Sequence, residues 1–529
     1  MHMPYVRRRF KRSSLIIALS LALLALGAWL FIRQFAPERH GIDTRAFRKD
    51  PPAPTAGQIT VRPRTTRPNI VIILADDLGF GDLEAYGGRV IDTPHTSQLA
   101  REGIRFTNAY ASAPVCSPSR AGLLTGRYPL RSGITTAMQM AGDTVTRRMM
   151  YRLGIAMANF AAVDMPGGRN LVKGLPQSEI TLAEALQAAD YETMAIGKWH
   201  LGDFTAWPEF HPGNHGFDHF AGFNGSNDDF PVAFWRDQEE VVDDIGADQA
   251  PYTGIFTQEA VGFIERAERP FFLYLAHKDP HLPFFPSENF AGYSKGGAYG
   301  DAVEEFDASV GHVLAALDRA GAAGNTIVIV TSDNGPWFEG SAGMLRGRKG
   351  QSHEGGFRVP LIVRWPGVTP PNTASHEPTM NFDLFTTCLA AAGIDPPGDR
   401  LIDGIDLTPA LQGGELPERM LFYFKDYDVE AVRRGPWKLI ASASHYTWPV
   451  PLDRPGTLVG NLAGARDYTP RDGGGPIATL GTWPMLYDLS RDPGESYDLA
   501  AGNPDVTEEL SAARTAWMAE FHANPRAFR

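Results

Sequence analysis

Pro68-Asn69-Ile70-Val71-Ile72-Ile73-Leu74, running straight into Ala75-Asp76-Asp77-Leu78-Gly79, is the stretch that decides how this chain folds. A β-branched, largely apolar run of this length is the pattern of a strand buried on both faces, as in a parallel sheet covered by helices. Two adjacent carboxylates at its C-terminal end lie where open α/β sheets bind ligands. Taken alone, the Asp-Asp pair reads better as a turn or a helix N-cap. A second strand of the same kind changes that reading. Asn325-Thr326-Ile327-Val328-Ile329-Val330 leads into Thr331-Ser332-Asp333-Asn334-Gly335. Two core strands thus deliver Asp76, Asp77, Asp333 and Asn334 to one sheet edge, an all-oxygen set suited to a hard divalent cation, Ca²⁺ or Mg²⁺.

Further segments lie between these strands. Leu99 to Tyr110 reads as a helix end, a glycine stop and a strand, and Leu182 to Ala189 as a helix. Tyr191 to Ile196 is a strand that delivers Gly197-Lys198-Trp199-His200-Leu201-Gly202. Lys198 and His200 face the same side if that strand continues. Pro270 to Leu275 is another buried strand, leading to Ala276-His277-Lys278-Asp279-Pro280-His281-Leu282-Pro283. Residues 114–128 read Pro-Val-Cys-Ser-Pro-Ser-Arg-Ala-Gly-Leu-Leu-Thr-Gly-Arg-Tyr. Cys116 is one of only two cysteines, so it belongs to no disulfide framework. At the mouth of a helix, one turn from Arg120, it would sit in positive potential that suits a thiolate or an oxyanion substrate. A buried structural cysteine is the plainer alternative.

Cys116-Ser117-Pro118-Ser119-Arg120, followed by Ala121-Gly122-Leu123-Leu124-Thr125-Gly126, resembles the signature of the type I sulfatases, arylsulfatase-like enzymes of the alkaline phosphatase superfamily. The resemblance implies that a formylglycine-generating enzyme oxidises Cys116 to Cα-formylglycine, whose hydrated aldehyde is the nucleophile, with Arg120 stabilising it. It also implies that Asp76, Asp77, Asp333 and Asn334, with the side chain at 116, bind a metal that is usually Ca²⁺. The Gly197–Gly202 string resembles the second signature and makes Lys198 and His200 catalytic, His200 as a base. Phe217 to Ser226 resembles the segment whose serine touches sulfate, here Ser226. In the His277–Pro283 stretch the substrate histidine precedes an apolar residue and a proline, which selects His281 and leaves His277 either a support behind the site or structural. Met344 to Gly350, ahead of Glu354-Gly355-Gly356, resembles the loop with the second catalytic lysine, Lys349. Arg346 and Arg348 beside it read as solvated charges.

The fold so implied is α/β: a large mixed, mostly parallel sheet flanked by helices over 68–420, alkaline phosphatase-like, with a smaller antiparallel-sheet subdomain and terminal helix over 421–529. The activity implied is hydrolysis of a small-molecule or saccharide sulfate ester (aryl, steroid-like or carbohydrate). A phosphonate or phosphate monoester hydrolase of the same fold is the alternative. A non-catalytic, sugar-binding relative should have lost Cys116, Lys198 or His200, and all three stand.

Composition sets the frame. With 529 residues, 43% hydrophobic and 21% charged, the chain is globular and long enough for a large domain plus a small one. Its formal charge of −12 includes five basic residues within 1–12, so the remainder carries −17. That argues against nucleic acid as a partner. After the basic cluster, residues 15–32 carry no charge. Residues 1–33 are therefore expected to act as a signal-anchor or cleaved signal peptide, touching the membrane and placing the body outside the cytoplasm. Residues 34–67 read as a linker without regular structure. An insertion at 135–174 holds six of the 14 methionines (Met138, Met140, Met149, Met150, Met157 and Met165), and Met149 to Val163 is a candidate helix. A lid or rim over the pocket and ordinary core packing both fit it. Residues 443–483 form a second insertion. Cys388, in the apolar run Leu384 to Ala390, is expected to be a core residue.

Overall fold

Fully apolar strands need cover on both faces, and the helices between them supply it. The computed structural model describes residues 44–47, 59–138, 140, 170–246, 249–442 and 484–529. In chain order its main elements begin with β1 (Asn69–Ala75), α1 (Pro94–Glu102), β2 (Ile104–Phe106), α2 (Cys116–Thr125), β3 (Glu192–Lys198) and β4 (His219–Phe223). There follow β5 (Phe234–Arg236), β6 (Glu239–Val242), α3 (Tyr252–Arg266), β7 (Phe271–Ala276), α4 (Gly297–Arg319) and β8 (Thr326–Ser332). The body closes with β9 (Leu361–Arg364), β10 (Thr373–Ser375) and α5 (Asp383–Ala392). Beyond it lie β11 (Met420–Lys425), β12 (Asp428–Arg434), β13 (Trp437–Ile440), β14 (Met485–Asp488) and α6 (Pro504–Ala523).

A ten-stranded sheet runs in the order β10-β2-β9-β8-β1-β7-β3-β4-β5-β6. Its centre, β8-β1-β7-β3-β4, is parallel throughout, so these strands open their C-terminal ends on one edge. The β9, β5 and β6 strands run antiparallel to their inner neighbours. β1 and β8 pair in register from Asn69↔Thr326 to Ala75↔Ser332. Asp76 and Asp333 therefore leave the sheet side by side, and Asp333 N donates to the Ala75 carbonyl at 3.1 Å.

Every residue of β1 is buried. Ile70, Ile72 and Leu74 join a core with Leu123 and Leu124 of α2 and Phe385 and Leu389 of α5. Val71 and Ile73 pack on the other face with Leu99 of α1, Phe256 of α3 and Phe306 of α4. Each such aliphatic side chain contributes about 1.5–3 kcal/mol, so burial on both faces holds the strand that carries the site. Cys388 is buried in the first of these cores, as expected.

The four-stranded antiparallel sheet β11-β12-β13-β14 carries α6. Its core residues Leu421, Val432, Leu439 and Phe521 continue into Tyr110, Tyr128 and Phe357 of the α/β body, so the two portions share one apolar cluster.

The sequence reading of 34–67 as unstructured needs correction where the structure describes it. Thr44–Phe47 is a 3₁₀ turn with Phe47 buried, and Thr60–Val61 pairs with Ile394–Asp395. Arg64 and Arg67 donate to the carbonyls of Ala390, Ala391 and Ala392 at 2.9–3.1 Å. These cations satisfy the last carbonyls of α5 and complement its dipole, which docks the segment. The expected anchor at 1–33, the candidate helix at 149–163 and the insertion at 443–483 lie outside the described residues. At the start of the first insertion, Met138 is buried and Met140 packs against the core. Among the described residues no helix is long and apolar enough to cross a membrane.

Candidate active site

The C-terminal ends of β1 and β8 set out the expected oxygen donors. Asp77 N donates to Asp333 Oδ1 at 3.2 Å, and Asn334 Nδ2 donates to Asp77 Oδ1 at 2.7 Å. Asp77 adopts a left-handed backbone (φ 68°), which turns the chain as it leaves the sheet. Ligand atoms of Asp76, Cys116 and Asp333 all lie within 4.8 Å of one another, as do those of Asp76, Asp77 and His281. Two oxygens in this cluster, Asp76 Oδ1 and Asn334 Oδ1, are buried without a hydrogen-bond partner. Buried acceptors without a donor are costly, and a coordinated cation would satisfy both. The donor set therefore fits a hard divalent metal.

Cys116 is the first residue of α2, only 2% exposed, and every residue of that helix is buried. Its N-cap Val115 offers no side-chain acceptor, so the positive end of the helix is left directed at position 116. One turn on, Arg120 places Nε and Nη2 2.9 and 2.8 Å from Asp333 Oδ2 and donates from Nη1 to the Lys198 carbonyl at 2.7 Å. Its guanidinium thus braces the carboxylates and the end of β3. The thiolate expectation is corrected: burial raises the Cys116 thiol above its ordinary value, outweighing the nearby Lys198 and Lys349.

Cations close the site. Lys198, the last residue of β3, puts Nζ 2.5 Å from Asp76 Oδ2. Lys349 Nζ lies 2.7 Å from Asp77 Oδ1. His281 Nε2 is 3.7 Å from Asp77 Oδ2, while its Nδ1 faces the Leu282 carbonyl. Burial opposes the charge on Lys349, but Asp77 and the other anions raise its pKa, so it stays an ammonium. Burial and then the Asp76 charge push the Asp333 carboxyl up to about 7. Against its own burial, Asp76 is held far below the carboxylate range by Lys198, His281, Arg120 and Lys349.

His200 reaches the site differently from the strand alternation expected of it. β3 ends at Lys198, and His200 takes a left-handed backbone (φ 56°). Its Nε2 lies 2.6 Å from the Met138 carbonyl and its Nδ1 is buried without a partner. Burial, then Lys198 and Arg120, holds its pKa well below the ordinary value, so the ring is neutral. Ser226, just beyond β4, is buried, and its backbone N–H donates to Asp229 Oδ2 at 2.8 Å.

Other expectations divide. His277 is structural: buried, 3.0 Å from Ser309 Oγ and flanked by Phe256 and Phe306. Arg348 is not a plain solvated charge, since it donates to the carbonyls of Trp337, Phe338 and Gly340 at 2.9–3.1 Å. Arg346 is exposed but donates to the Glu495 carbonyl at 2.9 Å. Sequence reasoning missed Asp229, whose Oδ2 is 3.9 Å from His200 Nε2. Burial and the neighbouring Asp228 push its carboxyl up to about 7. The signal was weak, because Asp228-Asp229 comes only after a further stretch of chain beyond the end of β4 at Phe223, whereas Asp76 follows β1 directly. Met138 was marked only as one methionine of the 135–174 insertion, with no link to His200.

Residues 68–394 match the family model Sulfatase, and residues 416–528 match the model for the C-terminal region of aryl-sulfatase. The chain is 37% identical over 476 residues to the N-acetylgalactosamine-6-sulfatase of Canis lupus familiaris, covering 84% of each protein. It is 34% identical over 560 residues to the steryl-sulfatase of Mus musculus, covering 88% of this chain and 84% of the relative. The crystal structure of a Pseudoalteromonas sulfatase superposes with a TM-score of 0.70 at 26% identity, covering 87% of this chain and 92% of that one.

Proposed function

The chain belongs to the sulfatase family and is a sulfuric ester hydrolase, and we propose that it cleaves sulfate monoesters at the edge where Asp76, Cys116 and Asp333 meet. One observation carries the reading. Cys116, two lysines and His281 converge on carboxylates that, with Asn334, leave two buried oxygens unpaired. Saccharide sulfates are the first substrate class to test, given the identity to an enzyme named for N-acetylgalactosamine 6-sulfate. Aryl and steroid-like sulfates come next.

A sulfate monoester is an anion whose oxygens shield sulfur from nucleophiles, so charge must be neutralised and a proton given to the leaving alcohol. Asp76, Asp77, Asp333 and Asn334, with the side chain at 116, would hold Ca²⁺, or Mg²⁺, which supplies Lewis acidity and acidifies a hydroxyl. Cα-formylglycine made from Cys116 by a formylglycine-generating enzyme would supply a hydrated aldehyde as nucleophile in place of a thiol that burial keeps protonated. Lys198, Lys349, His281 and Ser226 would grip the sulfate oxygens. Lys349, an ammonium beside Asp77, contributes charge, and either His281 or Lys349 would give the leaving oxygen its proton. His200, neutral and with Nδ1 unpartnered, accepts the proton released as sulfate leaves. Arg120 fixes Asp333 and the Lys198 carbonyl and would stabilise the hydrated aldehyde. The basic cluster and uncharged run of residues 1–32 support a non-cytoplasmic location, anchored to the membrane or released after cleavage.

The test pairs mass spectrometry of the peptide spanning residue 116 with matched aryl sulfate, saccharide sulfate and aryl phosphate assays, using Cys116→Ala as control. An aldehyde at 116 and turnover of sulfates in preference to phosphates, both lost in Cys116→Ala, are expected. An intact thiol in fully active protein overturns the nucleophile. Preference for the phosphate or a phosphonate overturns the substrate class.

A further inference from the structure

The residues between Arg346 and Glu354 form a loop whose ends meet, with Gly355 N donating to the Arg346 carbonyl at 2.6 Å. Gly347 and Gly350 within it take positive φ (84° and 80°), conformations open to glycine, so the sequence itself does little to hold the loop rigid. Its tip carries the chemistry. Lys349 N donates to the Pro336 carbonyl at 3.0 Å, Gly350 N donates to the Pro114 carbonyl at 2.7 Å, and Lys349 Nζ reaches Asp77. Pro114 lies two residues before Cys116, so a shift at this tip moves two parts of the site together.

The base of the loop is held by the C-terminal sheet. Lys438, in β13, is wholly buried, with Nζ 2.9 Å from Glu354 Oε1 and 2.9 Å from Glu495 Oε1. Glu354 N donates to Glu495 Oε2 at 2.7 Å, and Tyr110 Oη donates to Glu354 Oε2 at 2.7 Å. Arg346 bonds the Glu495 carbonyl, and Ser352 bonds the Glu430 carboxylate of β12. A buried ammonium between two carboxylates is a poor way to gain stability, since an apolar replacement is often as stable. What such a group fixes is geometry, and here both carboxylates belong to the segments that frame the Lys349 loop.

We propose that the Glu354–Lys438–Glu495 triad is a positioning device through which the C-terminal sheet sets Lys349, so that this sheet takes part in anion binding as well as capping the fold. The proposal rests on the reading of Lys349 as a sulfate-gripping residue. None of the triad touches substrate; each acts through the loop.

A double-mutant cycle tests it in the metal-loaded, full-length enzyme: Lys438→Met, Lys349→Ala and the pair. The readouts are kcat/KM on an aryl sulfate, normalised to conversion at position 116, and calorimetric binding of inorganic sulfate. Lys438→Met is expected to lower kcat/KM by about 10–100-fold and to weaken sulfate binding by about tenfold. In the Lys349→Ala background the same change should cost less than about twofold, since the group it positions is gone. Lys438→Arg should recover most of the loss, and Glu495→Gln, which keeps the shape of the triad, provides the same cycle if Lys438→Met does not fold. Losses that multiply in full between the two sites, with Lys349→Ala itself impaired, overturn the positioning role alone. A Lys349→Ala enzyme with unchanged sulfate binding and turnover overturns the reading of the anion site and the proposal with it.

Discussion

His200 Nε2 lies 2.6 Å from the carbonyl oxygen of Met138, and Met138 N in turn donates to the Ser117 hydroxyl at 2.8 Å. The first residues of the methionine-rich insertion therefore select a tautomer of His200 and tie it to the residue after Cys116. With Nε2–H donating to the carbonyl, the lone pair resides on Nδ1, the buried atom that has no partner. Replacing His200 by Gln should lower kcat by about 10²–10⁴-fold and KM along with it, leaving kcat/KM little changed, because its proton acceptance comes after the alcohol has left. Steady-state kinetics on an aryl sulfate check this, and a change confined to KM would assign His200 to binding instead.

Metal removal should cost both activity and stability. Without a cation, Asp76 Oδ1 and Asn334 Oδ1 remain buried and unsatisfied. A cation at one hundred times its dissociation constant stabilises the fold by about 2.7 kcal/mol through mass action. Exhaustive chelation should therefore lower the melting temperature and abolish turnover, and Ca²⁺ or Mg²⁺ should restore both. Scanning calorimetry before and after re-addition reads the first effect, and a melting temperature indifferent to chelation would exclude a resident cation.

Acid should destabilise the fold partly through His277. Burial lowers its pKa from 6.5 to about 4. Between those values the unfolded chain binds a proton that the folded chain refuses, so stability falls as pH drops from 6.5 towards 4, by about 3 kcal/mol in all. Denaturant unfolding at pH 7, 5.5 and 4.5 should show a shallower acid-side loss in His277→Gln than in the parent. Parallel curves would reject this source of acid lability.

Gly197 in β3 has φ 94°, and an added Cβ would lie 1.9 Å from the Ala276 carbonyl oxygen of β7. Gly197→Ala should cost several kcal/mol, because neither backbone can move without breaking the parallel ladder beside Lys198. Gly254→Ala in α3, where no atom lies within 4 Å, should instead gain about 0.5–1 kcal/mol. Melting temperatures of the two variants should move in opposite directions.

Much of the site was legible because it grows from continuous strands. The apolar runs at 69–75 and 326–332 declared buried parallel strands, and a register fixed by burial places whatever follows them at one edge. Asp76, Asp77, Asp333 and Asn334 were found that way, whereas Asp229 lies past a loop beyond β4 where strand register no longer places the residue. His200 escaped the strand rule because its left-handed backbone breaks the two-residue alternation, a local choice made by packing against Met138 and Asn224. The surroundings of Cys116 read as suited to a thiolate or to an oxyanion substrate, on the strength of its helix and arginine. Complete burial opposes the first of these, since desolvation acts through every surrounding atom and leaves no mark on the local sequence.

By itself, the order of residues determined the strands, their direction and the donors waiting at their ends, since hydrophobic period and length are properties of a single segment. Only the tertiary structure decided what grips what: Arg120 on Asp333, Lys349 on Asp77, and Lys438 of a distant sheet behind the Lys349 loop. Those pairings join residues 84 to 272 positions apart. Their partners are chosen by burial that no single segment encodes.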